Sequence, residues 1–360
     1  MPEINDMPAE VFEEIMKLVS PISLFKPFQY ASVSRKFHQT LSNQSFVAVY
    51  IKETCFHPIS TALCDRTCYQ WPVIYQKAYV SYRYSSHTKL TVKFPSYHIP
   101  LIPMNIPQAL ADLQHITAIN LSHSGLITIP KYIGQFLQLT ELEIIGIKTP
   151  SEIPPGVFSL NRLQKLKLTK CNLFGSIPRE IENLDSLVEL DLSFNKLSSS
   201  VPDEISKLGK LQKLKLNSNL LSGCIPSAIG HLSALLVLRL DTNKFVGEIP
   251  KSIGQLQELQ DLYLSHNALS GILPESLGKL SSLEVFIVDN NNLSGSLSRS
   301  LGNLTKLSGL GLSFNQFSGV LPKELLLLDL FHFTVFGNAF IGMDPKNNYQ
   351  QLDYLVSFDI

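Results

Sequence analysis

The chain has 360 residues, of which 44% are hydrophobic and 17% are charged, a composition typical of folded proteins rather than disordered ones. Thirty basic residues balance thirty acidic ones, so no overall positive field attracts nucleic acid or an anionic membrane. No apolar run reaches the about 18 residues that a membrane-spanning helix needs. The composition therefore predicts a globular protein that recognises partners by local shape and chemistry.

The start of the chain gives an expectation of cellular location. Its first ten residues, MPEINDMPAE, are polar and acidic, and they lack the basic start and apolar core of a secretory signal. Five cysteines are an odd number in a chain of this length and do not suggest a disulfide framework. We therefore expect a cytoplasmic protein, with the nucleus as an alternative.

Residues 1–50 show three short helical patterns. Pro8 stands where a helix begins, and Phe12, Ile15 and Val19 follow it at helical spacing. Three short helices within about 45 residues bury too little surface to be robust alone. Yet they carry many large apolar side chains, which indicates a face reserved for a partner.

This segment resembles the F-box, whose usual form is LPxE, a helix, a leucine, and then V-S/C-R-x-W/F. The stretches MPAEVFEEI, ISLF and VSRKF carry the resemblance, with Met7 and Phe37 in place of the usual leucine and tryptophan. The family implies docking on a Skp-family adaptor and, through it, on a cullin–RING ubiquitin ligase. The resemblance implies adaptor binding by Pro8, Phe12, Ile15, Leu24, Val33 and Phe37. The alternative is a generic helical cap for the repeats that follow.

Residues 51–112 are predicted to form a junction between this head and the rest of the chain. The stretch CYQWPVIYQKAYVSYRYS contains one tryptophan and five tyrosines, which suit a partly buried contact. KLTVKF is predicted to be a strand that begins or caps the array. Four metal-competent side chains match no closed zinc module and are interpreted as ordinary buried residues: Cys55, His57, Cys64 and Cys68. We therefore expect no metal ion and no cofactor.

Residues 113–341 repeat a block that reads LxxLxLxxNxL, then a small-residue turn, then Ile, Leu or Val before proline. Aligned on the asparagine, ten units follow at a spacing of 24 seven times in succession, with 23 at each end. The LxL alternation predicts a strand, and a unit this short buries its leucines only by stacking against its neighbours. The column predicted to bond to the unpaired main chain contains Asn195, Asn219, Asn243, Asn267, Asn291, Asn315 and Asn338, with Cys171 as a small buried substitute.

This spacing, with motifs such as LSGCIPSAIGHL at Leu221–Leu232, resembles the plant-type leucine-rich repeat. That family implies an α/β solenoid, here following a small three-helix F-box. The solenoid is a horseshoe with a parallel sheet on its concave face and short strands or 3-10 turns behind it. Many such arrays are receptor ectodomains or secreted inhibitors that carry paired cysteines in their caps, a pattern that this sequence departs from. Residues 342–360 are predicted to cap the last repeat.

Stacking in register allows the predicted concave face to be analysed column by column. From Glu143 to Lys215 the charges alternate in sign, so each is expected to face its opposite and to contribute about 0–1 kcal/mol per exposed pair. Farther along, the columns become aromatic and apolar. Gly309 and Gly311 then follow, and they would let a partner approach the main chain. We predict a substrate site on repeats six to ten, anchored by Arg239, Tyr263, His266 and Ile287.

No GxxxxGK[ST], HExxH or GxSxG motif occurs, and an array of similar units offers no unique catalytic pocket, so we predict that the chain is not an enzyme. The two resemblances together predict the substrate-recognition subunit of an SCF-type ubiquitin ligase. Its partners would be the Skp-family adaptor, through it a cullin, and a protein substrate, with no nucleic acid and no membrane. The main alternative is an intracellular leucine-rich-repeat scaffold that binds proteins without a ligase role. A secreted ligand-binding protein and an enzyme using the cysteine-rich junction are more remote alternatives.

Overall fold

The computed structural model describes residues 115–122 and 126–341, together with Ile106 and the backbone of the strand Lys89–Lys93. The implied adaptor-binding residues lie outside this part of the chain: Pro8, Phe12, Ile15, Leu24, Val33 and Phe37. The same holds for the four metal-competent residues of the junction and for the predicted cap at residues 342–360.

Two parallel sheets run along the described repeats. The strands in chain order are β1 (Lys89–Lys93), β2 (Ala118–Ser122), β3 (Glu141–Ile145), β4 (Lys165–Thr169), β5 (Phe174–Gly175), β6 (Glu189–Asp191), β7 (Lys196–Ser199), β8 (Lys213–Lys215), β9 (Leu220–Gly223), β10 (Val237–Arg239), β11 (Lys244–Gly247), β12 (Asp261–Tyr263), β13 (Ala268–Ile272), β14 (Val285–Ile287), β15 (Asn292–Gly295), β16 (Gly309–Gly311), β17 (Gln316–Gly319), β18 (His332–Thr334) and β19 (Ala339–Phe340). Each full repeat therefore supplies one strand to each sheet.

The main sheet has eleven strands in the order β1-β2-β3-β4-β6-β8-β10-β12-β14-β16-β18. The predicted strand at KLTVKF is β1, and it extends this sheet by pairing in parallel with β2. Neighbouring repeats pair at equivalent positions, as in Leu190 opposite Leu214. This register follows from the constant repeat length, because a one-residue slip would turn the buried leucines to solvent.

The second sheet has eight shorter strands in the order β19-β17-β15-β13-β11-β9-β7-β5. Between it and the next main-sheet strand, each repeat contains a short 3-10 helix. These helices are Lys131–Gln135, Pro155–Ser159, Arg179–Asn183, Asp203–Lys207, Ser227–His231, Lys251–Gln255, Glu275–Lys279, Arg299–Asn303 and Lys323–Leu327. A proline precedes all but one of them, because its fixed φ suits a helix start and its missing N–H would be unpaired there. The exception is Ser298, whose side chain accepts a hydrogen bond from the Ser300 N–H.

The core lies between the sheets and the 3-10 helices and consists mainly of stacked leucines. Leu214 and Leu238 are fully buried members of one column, and Ile229 and Ile253 belong to the column under the 3-10 helices. Burial of each such side chain stabilises the fold by about 1.5–3 kcal/mol. Because the same contact recurs in every repeat, the stability of the solenoid is distributed along its length.

A ladder of asparagines holds consecutive repeats together at the end of each main-sheet strand. The Asn219 amide donates to the carbonyl oxygens of Leu192 and Leu216, both at 3.0 Å, and its Oδ1 accepts from the Leu197 N–H at 3.0 Å. Equivalent bonds are made by Asn195, Asn243, Asn267, Asn291, Asn315 and Asn338. Each amide thus pairs main-chain groups that the turn would otherwise leave unsatisfied.

Cys171 takes the place of an asparagine in this ladder. Its Sγ lies 3.3 Å from the carbonyl oxygens of both Ile144 and Thr169, and its side chain is fully buried. Burial raises the pKa of this thiol to about 11, although nearby main-chain hydrogen bonds act in the opposite direction. Cys171 is therefore a neutral hydrogen-bond donor in the ladder at physiological pH.

Candidate functional site

The outer face of the main sheet consists of the side chains that alternate with the buried leucines. We call the residue before the first buried strand residue the first column, the residue between the two buried residues the second column, and the residue after them the third column. The second column runs Asn120, Glu143, Lys167, Asp191, Lys215, Arg239, Tyr263, Ile287, Gly311 and Thr334, each in register with the next.

The first repeats of this face carry a compact ion-pair cluster centred on Glu143. Its carboxylate oxygens lie 3.2 Å from Lys165 Nζ and 3.5 Å from Lys167 Nζ. Asn120 adds a hydrogen bond from its amide to the same carboxylate. Partial burial would raise the pKa of Glu143, but the hydrogen bond and charge of Lys165 and the charge of Lys167 outweigh it and lower the pKa. This part of the face satisfies its own charges.

The alternation of charge continues along the sheet, but the ion pairs do not. Asp191 lies in register between Lys167 and Lys215, yet among the described residues no ion pair within 4.0 Å joins it to either. Asp191 is instead buried and accepts a hydrogen bond from the Ser193 N–H at 3.1 Å. The expected pairing of opposite charges therefore holds at Glu143 and not at Asp191.

Arg239 marks the change from the charged to the apolar part of the face. Its Nε lies 3.1 Å from Asp241 Oδ1, and its Nη2 lies 3.3 Å from Asp241 Oδ2. The guanidinium carbon also lies 4.6 Å from the ring centre of Tyr263 on the next strand. Arg239 is consequently neutralised and fixed in position by its own chain, and it presents Tyr263 in a defined orientation.

An apolar row follows Arg239 on strands β10, β12 and β14. Val237, Tyr263, Val285 and Ile287 are all half-buried on the outer face. Tyr263 stands in register between Arg239 and Ile287 in the second column. The register brings these side chains together across three repeats, although they are 24 residues apart in the sequence.

Asp261 interrupts this apolar row in the first column, where it lies in register between Val237 and Val285. Burial, followed by the negative charge of Glu284, raises the pKa of Asp261, and the more distant charges of Arg239 and Lys215 only partly oppose this. Within the described repeats, no cation forms an ion pair with Asp261 or Glu284. The pair is thus short of positive charge.

The two glycines at the end of the face do not expose the main chain, so that expectation is wrong. Gly309 and Gly311 are both buried. A Cβ on Gly311 would lie 2.5 Å from Asp289 Oδ2 and 2.9 Å from Ile287 Cγ2. Side chains of the preceding repeat therefore occupy the space above Gly311, and a partner meets those side chains rather than the backbone.

Three of the four predicted anchor residues are adjacent, and the fourth is not. Arg239, Tyr263 and Ile287 form a continuous segment of the second column. His266 lies beyond the sheet face, exposed in the turn before the ladder asparagine, where its φ of +54° places it in the left-handed region. The face therefore has two neighbouring apolar side chains, one fixed arginine and a histidine at its edge.

Sequence reasoning missed Asp241, Asp261 and Asp289 as members of this face. The two-residue alternation carries a signal for Asp241 and Asp261, because both share the outward parity of their strands with Arg239 and Tyr263. Asp289 carries no such signal, because its carboxylate reaches over Gly311 and accepts from the Ser313 N–H at 2.6 Å and the Thr334 hydroxyl at 3.3 Å.

Two searches of the described residues returned negative findings. No group of three or more His, Cys, Asp or Glu side chains there is arranged to hold a metal ion. No helix in that part of the chain is both long and apolar enough to cross a bilayer. The outer face of the main sheet thus offers shape, charge and hydrogen bonds to a ligand.

Comparison with known proteins agrees with this architecture. A family model described as "Leucine-rich repeat region" matches residues 218–330, and one described as "Leucine rich repeat" matches residues 161–221. No match was found among curated proteins.

Several solved structures share the fold. The leucine-rich-repeat ectodomain of the membrane receptor kinase GASSHO1/SCHENGEN3 from Arabidopsis thaliana, in complex with CASPARIAN STRIP INTEGRITY FACTOR 2, is 35% identical with a TM-score of 0.63. The match covers 66% of this chain and 29% of that one. The ectodomain of the Arabidopsis receptor kinase HAESA, in complex with an extended IDA peptide hormone, is 30% identical with a TM-score of 0.59, covering 65% and 44%. A plant ice-binding protein is 32% identical with a TM-score of 0.56, covering 60% and 69%. The chain thus spans less than half the length of the two receptor ectodomains.

Proposed function

Because the chain belongs to the leucine-rich-repeat family, we propose that it is a binding scaffold whose ligand is a protein or peptide segment. The ligand would lie on the outer face of strands β10–β14, with Tyr263 and Ile287 as anchors and Arg239 holding Tyr263 in place. Two receptor ectodomains of similar fold are in complex with a named factor and a peptide hormone, which supports this class of ligand.

The observation that carries the proposal is the apolar row on an otherwise polar sheet face. Val237, Tyr263, Val285 and Ile287 are half-buried and contiguous, whereas the equivalent positions of strands β3 to β8 are charged. Contiguous apolar side chains on a solvent-facing sheet are typical of interaction sites. An aromatic anchor already held by a paired arginine loses little conformational freedom on binding.

Selection of short displayed peptides on the full chain tests this proposal. Peptides that bind the wild type are expected to lose at least about 10-fold in affinity for the double variant Tyr263→Ala/Ile287→Ala. A matched control is Val246→Ala/Ile272→Ala, which removes two exposed apolar side chains from the second sheet. Failure to select any peptide, or an equal loss in both double variants, would contradict the proposal.

A second candidate function rests on the F-box resemblance of residues 7–37. We propose that this head docks on a Skp-family adaptor, so that the repeats recruit a protein substrate to a cullin-based ubiquitin ligase. The support is the sequence pattern with Pro8, Ile15, Leu24 and Val33. A scaffold without a ligase role needs no such docking, so adaptor binding separates the two candidates.

Co-purification of the full chain with a Skp-family adaptor tests the second candidate. Capture by the wild type and its loss in Ile15→Asp/Leu24→Asp would support the ligase role. No capture by a folded wild-type chain would leave the scaffold without this role. Both candidates place the chain in the cytoplasm or nucleus, so a tagged chain found in the secretory pathway would contradict that location.

A further inference from the structure

We propose that the ligand presents a lysine or arginine side chain, flanked by apolar residues, to a subsite formed by Asp261 and Glu284 and collared by Val237 and Val285. This inference rests on the proposed binding function and names the chemistry of the ligand. A cationic side chain with an apolar stem is complementary to a carboxylate pair set in an apolar surround.

The distribution of charge along the outer face supports a cation at this subsite. In the first repeats, the Glu143 carboxylate is already paired with Lys165 and Lys167. From β10 onward the columns of the described sheet contain one arginine, and Asp241 neutralises it with two contacts. The Asp261 and Glu284 carboxylates have no such partner, so a ligand cation gains an ion pair here that it would not gain at Glu143.

The surroundings of Asp261 increase the gain from a ligand cation. Val237 and Val285 stand in register on either side of it and are half-buried, so they limit the access of water to the carboxylate. The lower local dielectric strengthens a charge pair formed there. The methylene stem of a lysine or arginine would pack on the two valines, and the apolar neighbours of that residue would reach Tyr263 and Ile287.

Ser265 provides a second and independent indication of a missing partner. It follows Asp261 and Tyr263 at outward positions of the same repeat, and it is 8% exposed with a buried hydroxyl that has no hydrogen-bond partner. Its third-column neighbours direct their carboxylates elsewhere, Asp241 to Arg239 and Asp289 to Ser313 and Thr334. An unpaired buried hydroxyl is costly, and a donor from a bound ligand would remove that cost.

The peptides selected on the full chain provide the probe. We expect an enrichment of lysine or arginine next to apolar residues. We also expect about a 10-fold loss of affinity for Asp261→Asn/Glu284→Gln, because a charge-assisted contact would become a neutral one. The matched control, Glu141→Gln/Glu189→Gln, removes two carboxylates from the first column of β3 and β6 and is expected to bind like the wild type.

The outcomes separate this inference from the function on which it rests. Peptides that require Tyr263 and Ile287 but contain no enriched basic residue would overturn the cation subsite and leave the binding function standing. Equal affinity for wild type and Asp261→Asn/Glu284→Gln would do the same. The absence of any selected peptide would overturn both.

Discussion

The carboxylate of Asp289 lies over the backbone of Gly311 on the next repeat, with its Oδ2 2.5 Å from the point that a Cβ would occupy. The same carboxylate accepts hydrogen bonds from the Ser313 N–H and from the Thr334 hydroxyl, so it links three consecutive repeats. Gly311 is thus required for space above the sheet and not for an unusual backbone angle.

Gly311→Ala is therefore expected to destabilise the fold by about 1–3 kcal/mol, because the new methyl group would displace Asp289 and Ile287. Denaturant unfolding of the full chain measures the effect. Gly309→Ala is the matched control, because its methyl group would meet Val285 at ordinary contact distances of 3.5 and 3.6 Å. Similar losses in the two variants would contradict the steric explanation.

Asn219→Ala is expected to destabilise the chain by about 2–4 kcal/mol, because it leaves the Leu192 and Leu216 carbonyls and the Leu197 N–H without partners in the interior. Thermal or denaturant unfolding measures the loss. The exposed Asn292 on β15 supplies the control, and Asn292→Ala is expected to change stability by no more than about 0.5 kcal/mol. Comparable effects at the two positions would argue against the ladder as a source of stability.

Alkylation of the native chain is expected to modify Cys224 and to spare Cys171. Cys224 is exposed on the second-sheet side, whereas burial raises the pKa of the Cys171 thiol to about 11 and keeps it protonated. Peptide mapping by mass spectrometry distinguishes the two sites after brief treatment with iodoacetamide. Labelling of Cys171 should appear only after unfolding, and equal native labelling would show that the ladder position is open.

The dependence of stability on pH is expected to have opposite signs at Asp289 and Glu143. Burial raises the pKa of Asp289, so the folded state retains the proton longer and the wild type loses stability relative to Asp289→Asn as pH rises above 3.8. Lys165 and Lys167 outweigh the effect of burial and lower the pKa of Glu143, so the wild type loses stability relative to Glu143→Gln as pH falls below 4.5. Denaturant unfolding at several acidic pH values measures both differences.

The two differences serve as controls for each other, because the variants are isosteric and lie on the same sheet face. Trends of the same sign at both positions would show that the local environment of at least one carboxylate differs from the one described.

Most of the described fold could be predicted from the sequence because it depends on repetition. The constant spacing of the asparagine column requires neighbouring strands to align, and this places Tyr263 beside Ile287 without further information. The strand at KLTVKF was predictable from its alternation, although its parallel pairing with β2 needed the structure.

The details of the face could not be predicted in the same way, because they depend on side-chain direction. Alternating charge predicts which groups are opposite each other, but Glu143 forms ion pairs while Asp191 bonds to Ser193 within its own repeat. The sequence also presents Arg239 as a free anchor, whereas an aspartate two residues later neutralises it. A short carboxylate can reach a neighbour along the strand or across it, and only the packed structure decides between them.

The asparagine ladder also determines how such a chain can change its length over evolutionary time. Every amide of the ladder bonds within its own repeat and to the one before it, as Asn243 does with Leu240 and Leu216. A duplicated block of 24 residues would bring a complete set of these bonds with it, whereas a block one residue longer or shorter would break the register at two junctions. The binding row could therefore lengthen or shift by whole units through duplication while the rest of the protein kept its fold.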